Sequence, residues 1–136
     1  MSDTSKVSSS IVVLEAFEYV HAQHRGAYEK AGIAIDKRVE QLEPGMLVHI
    51  LTEVSGSSEV ITYRWLEIFQ DVEGLRDHLS SAHVAEHVAS LSQGLLAAPT
   101  DLVIYGVSGA EEREVLQAEF GTAHLRFASE ITSFFR

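Results

Sequence analysis

The sequence predicts an α+β protein with the element order β-α-β-β-α-β. Four segments rich in β-branched and aromatic residues alternate with segments whose apolar residues recur at steps of three and four. This is the order of a ferredoxin-like subunit, in which the helices cover one face of an antiparallel sheet. A chain of 136 residues has the length of one domain and can bury a core without disulfides.

The first half of the chain supplies a strand and a long helix. Residues 11–19 are mostly β-branched, apolar and aromatic, which predicts the first strand, and residues 1–10 predict a mobile tail. Residues 21–42 predict the first helix, whose apolar stripe is Tyr28, Ala31, Ile35, Val39 and Leu42. Gly26 and Gly32 weaken that helix by about 1 kcal/mol each. The segment Glu43-Pro44-Gly45 ends it.

The second half supplies a hairpin, two helices and a strand. Residues 46–54 and 59–70 predict strands two and three around a hairpin loop. Asp71 is a predicted N-cap for a short helix through Leu79. Ser80 or Ser81 caps a further helix to about Leu96, which Pro99 ends, and residues 102–107 predict strand four. The stripe of that further helix is Val84, Val88, Leu91 and Leu95.

Both faces of the predicted sheet are apolar. We expect Met46, Val48 and Ile50 on one face of strand two, with Leu47 and Leu51 on the other. In strand three one face holds Tyr63, Trp65 and Phe69, and the other holds Val60, Leu66 and Ile68. Since the helices cover one face only, we expect a second copy of the chain to cover the other.

Residues 109–136 form a predicted extension packed on the dimer. Residues 110–120 predict a helix that Gly121 interrupts. The apolar residues Leu125, Phe127, Ile131 and Phe135 predict a last strand, while a helix through Phe127, Ile131 and Phe134 fits almost as well.

Composition excludes several classes of partner. The formal net charge of −10 disfavours nucleic acid and anionic membrane surfaces. No apolar run approaches the roughly 20 residues that span a bilayer, and the N-terminus lacks the pattern of a signal peptide. With no cysteine in the chain, thiolate chemistry is excluded and a reducing, cytoplasmic location is expected.

Residues 11–108 resemble the antibiotic-biosynthesis monooxygenase family. The resemblance rests on Glu67-Ile68-Phe69-Gln70-Asp71, on the spacing of Leu75, His78, Ser81 and His83, and on the Glu43-Pro44-Gly45 turn. It implies a dimeric α/β barrel with a pocket in each subunit between sheet and helices. It also implies a monooxygenase that uses no cofactor and acts on a quinol or polycyclic phenol, or else a non-catalytic small-molecule-binding or accessory protein on the same fold.

The resemblance suggests site residues. His78 and His83 are the candidate catalytic residues, because a histidine can take the proton of a phenol. The alternative is that His78 caps its helix and bonds Glu67 or a carbonyl. The candidate aromatic wall for a flat ligand is Tyr63, Trp65 and Phe69, with Glu67 among them, and Trp65 resembles the pocket tryptophan of the phenol oxygenases. This sequence contains no asparagine, the side chain that the oxygenating family members use in the pocket.

His83 and His87 have the spacing of two metal ligands on one helix face. No third ligand is evident, and on a continuous helix His78 would lie about 180° from His87. We therefore expect two histidines that line the surface, and no metal or other cofactor.

Overall fold

A computed structural model describes residues 11–121, 124–129, 134 and 136. The predicted mobile tail and the side chains of Ile131 and Phe135 lie outside these residues. The described strands are β1 Val12–His21, β2 Met46–Gly56, β3 Val60–Phe69, β4 Leu96–Tyr105 and β5 Leu125–Phe127. The described helices are α1 Arg25–Leu42, α2 Val72–Ser80, α3 Ala82–Leu91 and α4 Ala110–Phe120, and a short 3₁₀ turn at Ala22–His24 precedes α1.

The strands form one sheet in the order β2-β3-β1-β4-β5. Neighbouring strands are antiparallel except β4 and β5, which are parallel. The first four strands have the ferredoxin-like arrangement, which confirms the predicted fold class, and α2 and α3 together occupy the position of its second helix.

The core lies between one face of the sheet and the helices. Strand β1 alternates strictly between buried and half-buried residues, so that Val12, Leu14, Ala16, Glu18 and Val20 point to the helices. Tyr28 and Val39 of α1, Leu75 of α2, Leu91 of α3 and Leu116 of α4 pack on this face. Glu18 is therefore a carboxylate on the core face of the central strand.

A β-bulge at Leu47 changes the faces of strand two. Met46 pairs with Phe69 and Val48 pairs with Ile68, so that Leu47 is an extra residue. Met46 consequently packs against the core, whereas Val48 lies with Ile68 on the opposite face. The prediction that Met46, Val48 and Ile50 share a face was wrong, because strict alternation does not continue through a bulge.

The face of the sheet away from the helices remains apolar in the single chain. The alternation and the pairing register place Val13, Phe17, Leu66 and Ile68 there, all half-buried. Ile50, opposite Leu66, is 48% exposed.

The end of α3 and the start of β4 differ from the prediction. Helix α3 ends at Leu91, and β4 begins at Leu96 and contains Pro99. The pairing of β4 with β1 shifts between Asp101 and Ala98, which places Pro99 in a bulge. Proline lacks the N–H that a regular ladder needs and is tolerated in a bulge, so Pro99 does not end the helix but lies within the next strand.

Two side-chain caps separate α2 from its neighbours. The carboxylate of Asp71 accepts a hydrogen bond from the Gly74 amide at 2.9 Å, as predicted. Of the two serines considered, Ser81 caps α3 by accepting from the Val84 amide at 3.3 Å. The backbone of Ser81 is extended and not helical, so α2 and α3 are two separate helices with different axes.

The extension adds to the same core. Helix α4 buries Leu116 completely, and β5 pairs with β4 so that Leu125 joins the core cluster. Residues 125–127 thus form a strand, as predicted for the start of this segment, and Ile131 and Phe135 lie outside the described residues. Phe134 is 75% exposed in the single chain.

None of the helices in the described part of the chain is both long and apolar enough to cross a membrane.

Candidate functional site

A cavity of about 210 Å³ lies between the sheet and helices α1 to α3. Most of its wall is apolar, and the lining includes Leu14, Ala16, Ile35, Leu79, Val84, Val88, Leu91, Leu96 and Leu102. Polar groups enter it from the sheet and from the helices: Glu18, His49, Glu67, His78, His87 and Thr100. An apolar cavity with a few convergent polar groups has the character of a small-molecule site.

His78 lies between two carboxylates in the wall of this cavity. Its Nδ1 atom is 2.8 Å from Oε1 of Glu43, and its Nε2 atom is 3.0 Å from Oε1 of Glu67. All three side chains are less than a tenth exposed. Burial disfavours the imidazolium, but the two carboxylates outweigh burial and raise the pKa of His78 to about 9. His78 is therefore a cation at neutral pH.

Glu43 joins His78 to His83. Its Oε2 atom is 2.5 Å from Nε2 of His83, which is 7% exposed. Burial alone would raise the pKa of Glu43, but hydrogen bonds and charges from both histidines lower it. The two histidines that the resemblance suggested, His78 and His83, therefore both contact the carboxylate of Glu43, the residue that follows α1.

Glu18 is a second buried carboxylate, on the sheet side of the cavity. The hydroxyl of Tyr28 donates to its Oε1 atom at 2.5 Å. Burial raises the pKa of Glu18, and the nearby Glu67 adds to this, while the hydrogen bond from Tyr28 opposes it. The environment of Glu18 therefore favours the neutral acid, which can donate a hydrogen bond.

Trp65 and His49 form the wall between the cavity and an outer groove. Their rings stack with centroids 4.3 Å apart and planes 21° apart. Nδ1 of His49 is 2.8 Å from Oδ1 of Asp36, which fixes the imidazole in this position. Both rings line the cavity and also an open groove of about 430 Å³ between α1 and β2.

His87 differs from the other histidines of the cavity. Its Nε2 atom is buried and has no hydrogen-bond partner within the part of the chain that the structure describes. Burial, with a smaller contribution from His49, lowers the pKa of His87. The expectation that His83 and His87 line the surface was wrong. His83 is buried, and His87 reaches the cavity because the break at Ser81 turns α3 relative to α2.

The structure brings together only some of the candidate residues. Trp65, Glu67 and His78 line the cavity, and His83 lies behind them through Glu43. Tyr63 lines the outer groove and donates to Glu29 at 2.6 Å. Phe69 is fully buried in the core cluster that contains Leu14 and Leu75. Within the predicted aromatic wall, only Trp65 faces the cavity.

The sequence reasoning missed Glu18 and the role of Glu43. Glu18 carries a signal, since it falls in alternation with Val12, Leu14 and Ala16 and must share their buried face. The local pattern around Glu43 does not reveal its role, because its contacts with His78 and His83 form between elements far apart in the sequence. In the described residues, no group of three or more histidine and acidic side chains is arranged to hold a metal ion.

Comparison with known structures identifies the fold. No protein-family model matches the chain, and no curated protein does. MupZ from Pseudomonas fluorescens superposes with a TM-score of 0.71 at 20% identity, over 93% of this chain and 94% of that one. A candidate antibiotic biosynthesis monooxygenase from Caulobacter crescentus CB15 gives 0.66 at 19% identity, over 78% and 97%. Another from Nitrosomonas europaea gives 0.64 at 17%, over 75% and 94%. The chain has the fold of structures named as antibiotic biosynthesis monooxygenases.

Proposed function

We propose that the chain is a monooxygenase that uses no cofactor and acts on a small quinol or polycyclic phenol. The observation that carries this proposal is the apolar cavity between sheet and helices, which joins an aromatic wall to buried acid and base groups. A volume of about 210 Å³ is below the roughly 300–1,000 Å³ of sites for drug-sized ligands. The substrate that fits has one or two rings.

The reaction requires removal of a proton before oxygen reacts. The hydroxyl proton leaves, the electron-rich ring carbon bonds to dioxygen, and the resulting hydroperoxide loses water. One phenol and one dioxygen thus give one quinone and one water. A buried base and a nearby positive charge are the groups that favour such a step.

His78 and His83 would act through charge and position. With a pKa of about 9 and both ring nitrogens beside carboxylates, His78 would hold Glu43 and Glu67 in position and is poorly suited to accept the proton of the phenol. His83 would hold Glu43 in place. In this proposal Trp65 packs on the flat ring, Glu67 faces it, and Tyr63 and Phe69 support the aromatic wall from the groove and the core.

A non-catalytic binding or accessory protein is the second candidate. It is favoured by the placement of both nitrogens of His78 beside carboxylates, which leaves His78 no free nitrogen to accept a proton. The two candidates predict the same cavity ligand but differ in oxygen consumption.

We propose further that two copies of the chain pair through the apolar face of the sheet. Leu66, Ile68 and Phe17 are half-buried there and Ile50 is exposed, in a chain whose helices pack on the other face. A second sheet would cover these side chains and form the dimeric α/β barrel.

Oxygen uptake and fluorescence together test the proposed function. Trp65 is the single tryptophan of the chain, so its fluorescence reports on the cavity wall directly. We expect 1,4-naphthoquinone, the product expected from 1-naphthol, to quench it, and 1-naphthol to be consumed with oxygen. Quenching without oxygen uptake would favour the binding protein. If neither quenching nor oxygen uptake is observed, both candidate functions are ruled out.

A further inference from the structure

We infer that His87 accepts the proton of the ligand hydroxyl in the cavity. This inference rests on the proposed function and assigns its base to a residue for which the sequence suggested only metal ligation or a place on the surface. Among the histidines of the cavity, His49 uses Nδ1 to bind Asp36, and His78 uses Nδ1 to bind Glu43 and places Nε2 3.0 Å from Glu67 in an ion pair. The Nε2 atom of His87 is buried and unpartnered within the described residues. An unpaired buried polar atom is unfavourable, and a hydroxyl donor would remove that penalty.

The position of His87 follows from the break between the two short helices. Had α2 and α3 been continuous, His78 and His87 would have pointed in opposite directions. The extended backbone at Ser81 gives α3 its own axis, and both histidines then line one cavity. Ile35 and His87 also line a shallow groove between α1 and α3, so this imidazole lies between the interior and the surface.

The surroundings of His87 keep its imidazole neutral. Burial and the neighbouring histidines His49 of β2 and His78 of α2 lower its pKa, and the carboxylate of Glu67 on β3 opposes them. On the outer side Arg38 of α1 and Glu86 of α3 line the adjoining groove. A neutral histidine can accept a proton at neutral pH, whereas the protonated His78 cannot.

The same surroundings define the ligand class. Glu43 and Glu67 bracket a single cation, His78, so the cavity wall has no surplus positive charge to pair with a carboxylate or phosphate. The neutral Nε2 atom requires a donor. The ligand is therefore an uncharged phenol with a free hydroxyl. In the reaction the O–H bond breaks and an N–H bond forms at Nε2, and that proton later passes to the peroxide oxygen, which restores neutral His87.

The test compares 4-methylphenol, which stays uncharged at neutral pH, with 4-methylanisole, its methyl ether, which has no proton to donate. Calorimetry should show that the unsubstituted protein binds the phenol at least about tenfold more tightly than the ether. In His87→Phe and His87→Gln this preference should fall to about twofold or less. The control is His124→Gln, since His124 is exposed and outside the cavity, and it should keep the full preference. Circular dichroism confirms that each variant is folded.

The pH dependence separates proton acceptance from packing. In the unsubstituted protein, binding of 4-methylphenol should weaken on acidification through the lowered pKa of His87, and in His87→Gln this acid limb should disappear. If both probes bind equally to the unsubstituted protein, or if the preference survives in both variants, His87 is not the acceptor although the cavity still binds ligands. If neither probe binds any variant, the cavity is not a phenol site, and the proposed function fails together with this inference.

Discussion

Nδ1 of His78 lies 2.8 Å from Oε1 of Glu43, 35 residues earlier in the chain. This contact ties the end of α1 to the last turn of α2, and Glu67 holds the other side of the same imidazole at 3.0 Å. The wall of the cavity is thus held by charge as well as by apolar packing, and its stability should depend on pH.

The first prediction concerns the pH dependence of the free energy of unfolding. The folded-state pKa of His78, about 9, is above the ordinary value of 6.5. Its stabilisation is therefore fully present below pH 6.5 and is lost as the pH rises from 6.5 through 9. The loss should approach about 3 kcal/mol at 1.36 kcal/mol per pKa unit. Urea unfolding at several pH values across this window measures it.

Glu43→Gln should flatten that profile, because it removes one of the two carboxylates that hold the imidazolium. Glu40→Gln, on the exposed surface of α1, is the matched control and should retain the full slope. A Glu43→Gln variant with an unchanged slope would show that Glu43 does not stabilise the charged form of His78.

The second prediction concerns Glu18. Because the pKa of Glu18 is raised above 4.5, ionisation of Glu18 lowers the free energy of unfolding as the pH rises from 4.5 through the pKa of the folded state. Glu18→Gln has the shape of the neutral acid and keeps an acceptor for Tyr28. We expect it to be at least as stable as the unsubstituted protein at pH 7. Glu18→Ala should lose about 1–3 kcal/mol, because the Tyr28 hydroxyl then has no acceptor. Equal destabilisation by both substitutions would mean that Glu18 is needed as an anion.

Sequence patterns predicted the fold well, because its elements depend on local signals. Alternation located β1 and β3, and Asp71 and the Glu43-Pro44-Gly45 turn located helix boundaries. The predicted strand faces and boundaries were wrong where a single extra residue forms a β-bulge. The bulge at Leu47 and the bulge that contains Pro99 depend on pairing with a neighbouring strand, which no single segment of sequence reveals.

The candidate site was predicted only in part for a related reason. Trp65, Glu67 and His78 lie on elements whose faces the pattern defines, and they do line the cavity. His87 reaches the cavity, and Glu43 reaches His78, through the relative placement of whole helices, which depends on tertiary packing. A pattern of residues on one helix cannot show where its neighbour points.

The third prediction concerns the apolar face of the sheet. We expect light scattering to give twice the 15.0 kDa chain mass for the unsubstituted protein. Leu66→Arg places a charge at the centre of the proposed interface and should give the single-chain mass. Ile33→Arg, at a site 61% exposed on α1, should leave the dimer intact. A single-chain mass for the unsubstituted protein at micromolar concentration would contradict the proposed pairing.

The fourth prediction concerns the extension. Leu116 of α4 is fully buried in the core cluster, so Leu116→Ala should lower the free energy of unfolding by about 2–5 kcal/mol. Val115→Ala, a neighbour 42% exposed, should have a much smaller effect. Truncation after Gly109 should lower the melting temperature strongly, because it removes Leu116 and Leu125 together. A truncated chain with unchanged melting temperature and mass would show that the extension does not stabilise the fold.

If the cavity directs oxygen into a phenol, the stoichiometry of oxygen consumption should show it. With 1-naphthol as substrate, an oxygen electrode and product analysis should give one dioxygen consumed for each naphthoquinone formed. Catalase should return no oxygen, because the second oxygen atom leaves as water. The rate should fall by on the order of a hundredfold or more in His87→Gln and remain in His124→Gln. Return of half the oxygen on addition of catalase, or uptake no faster than in buffer alone, would show that the protein is not a monooxygenase of this kind.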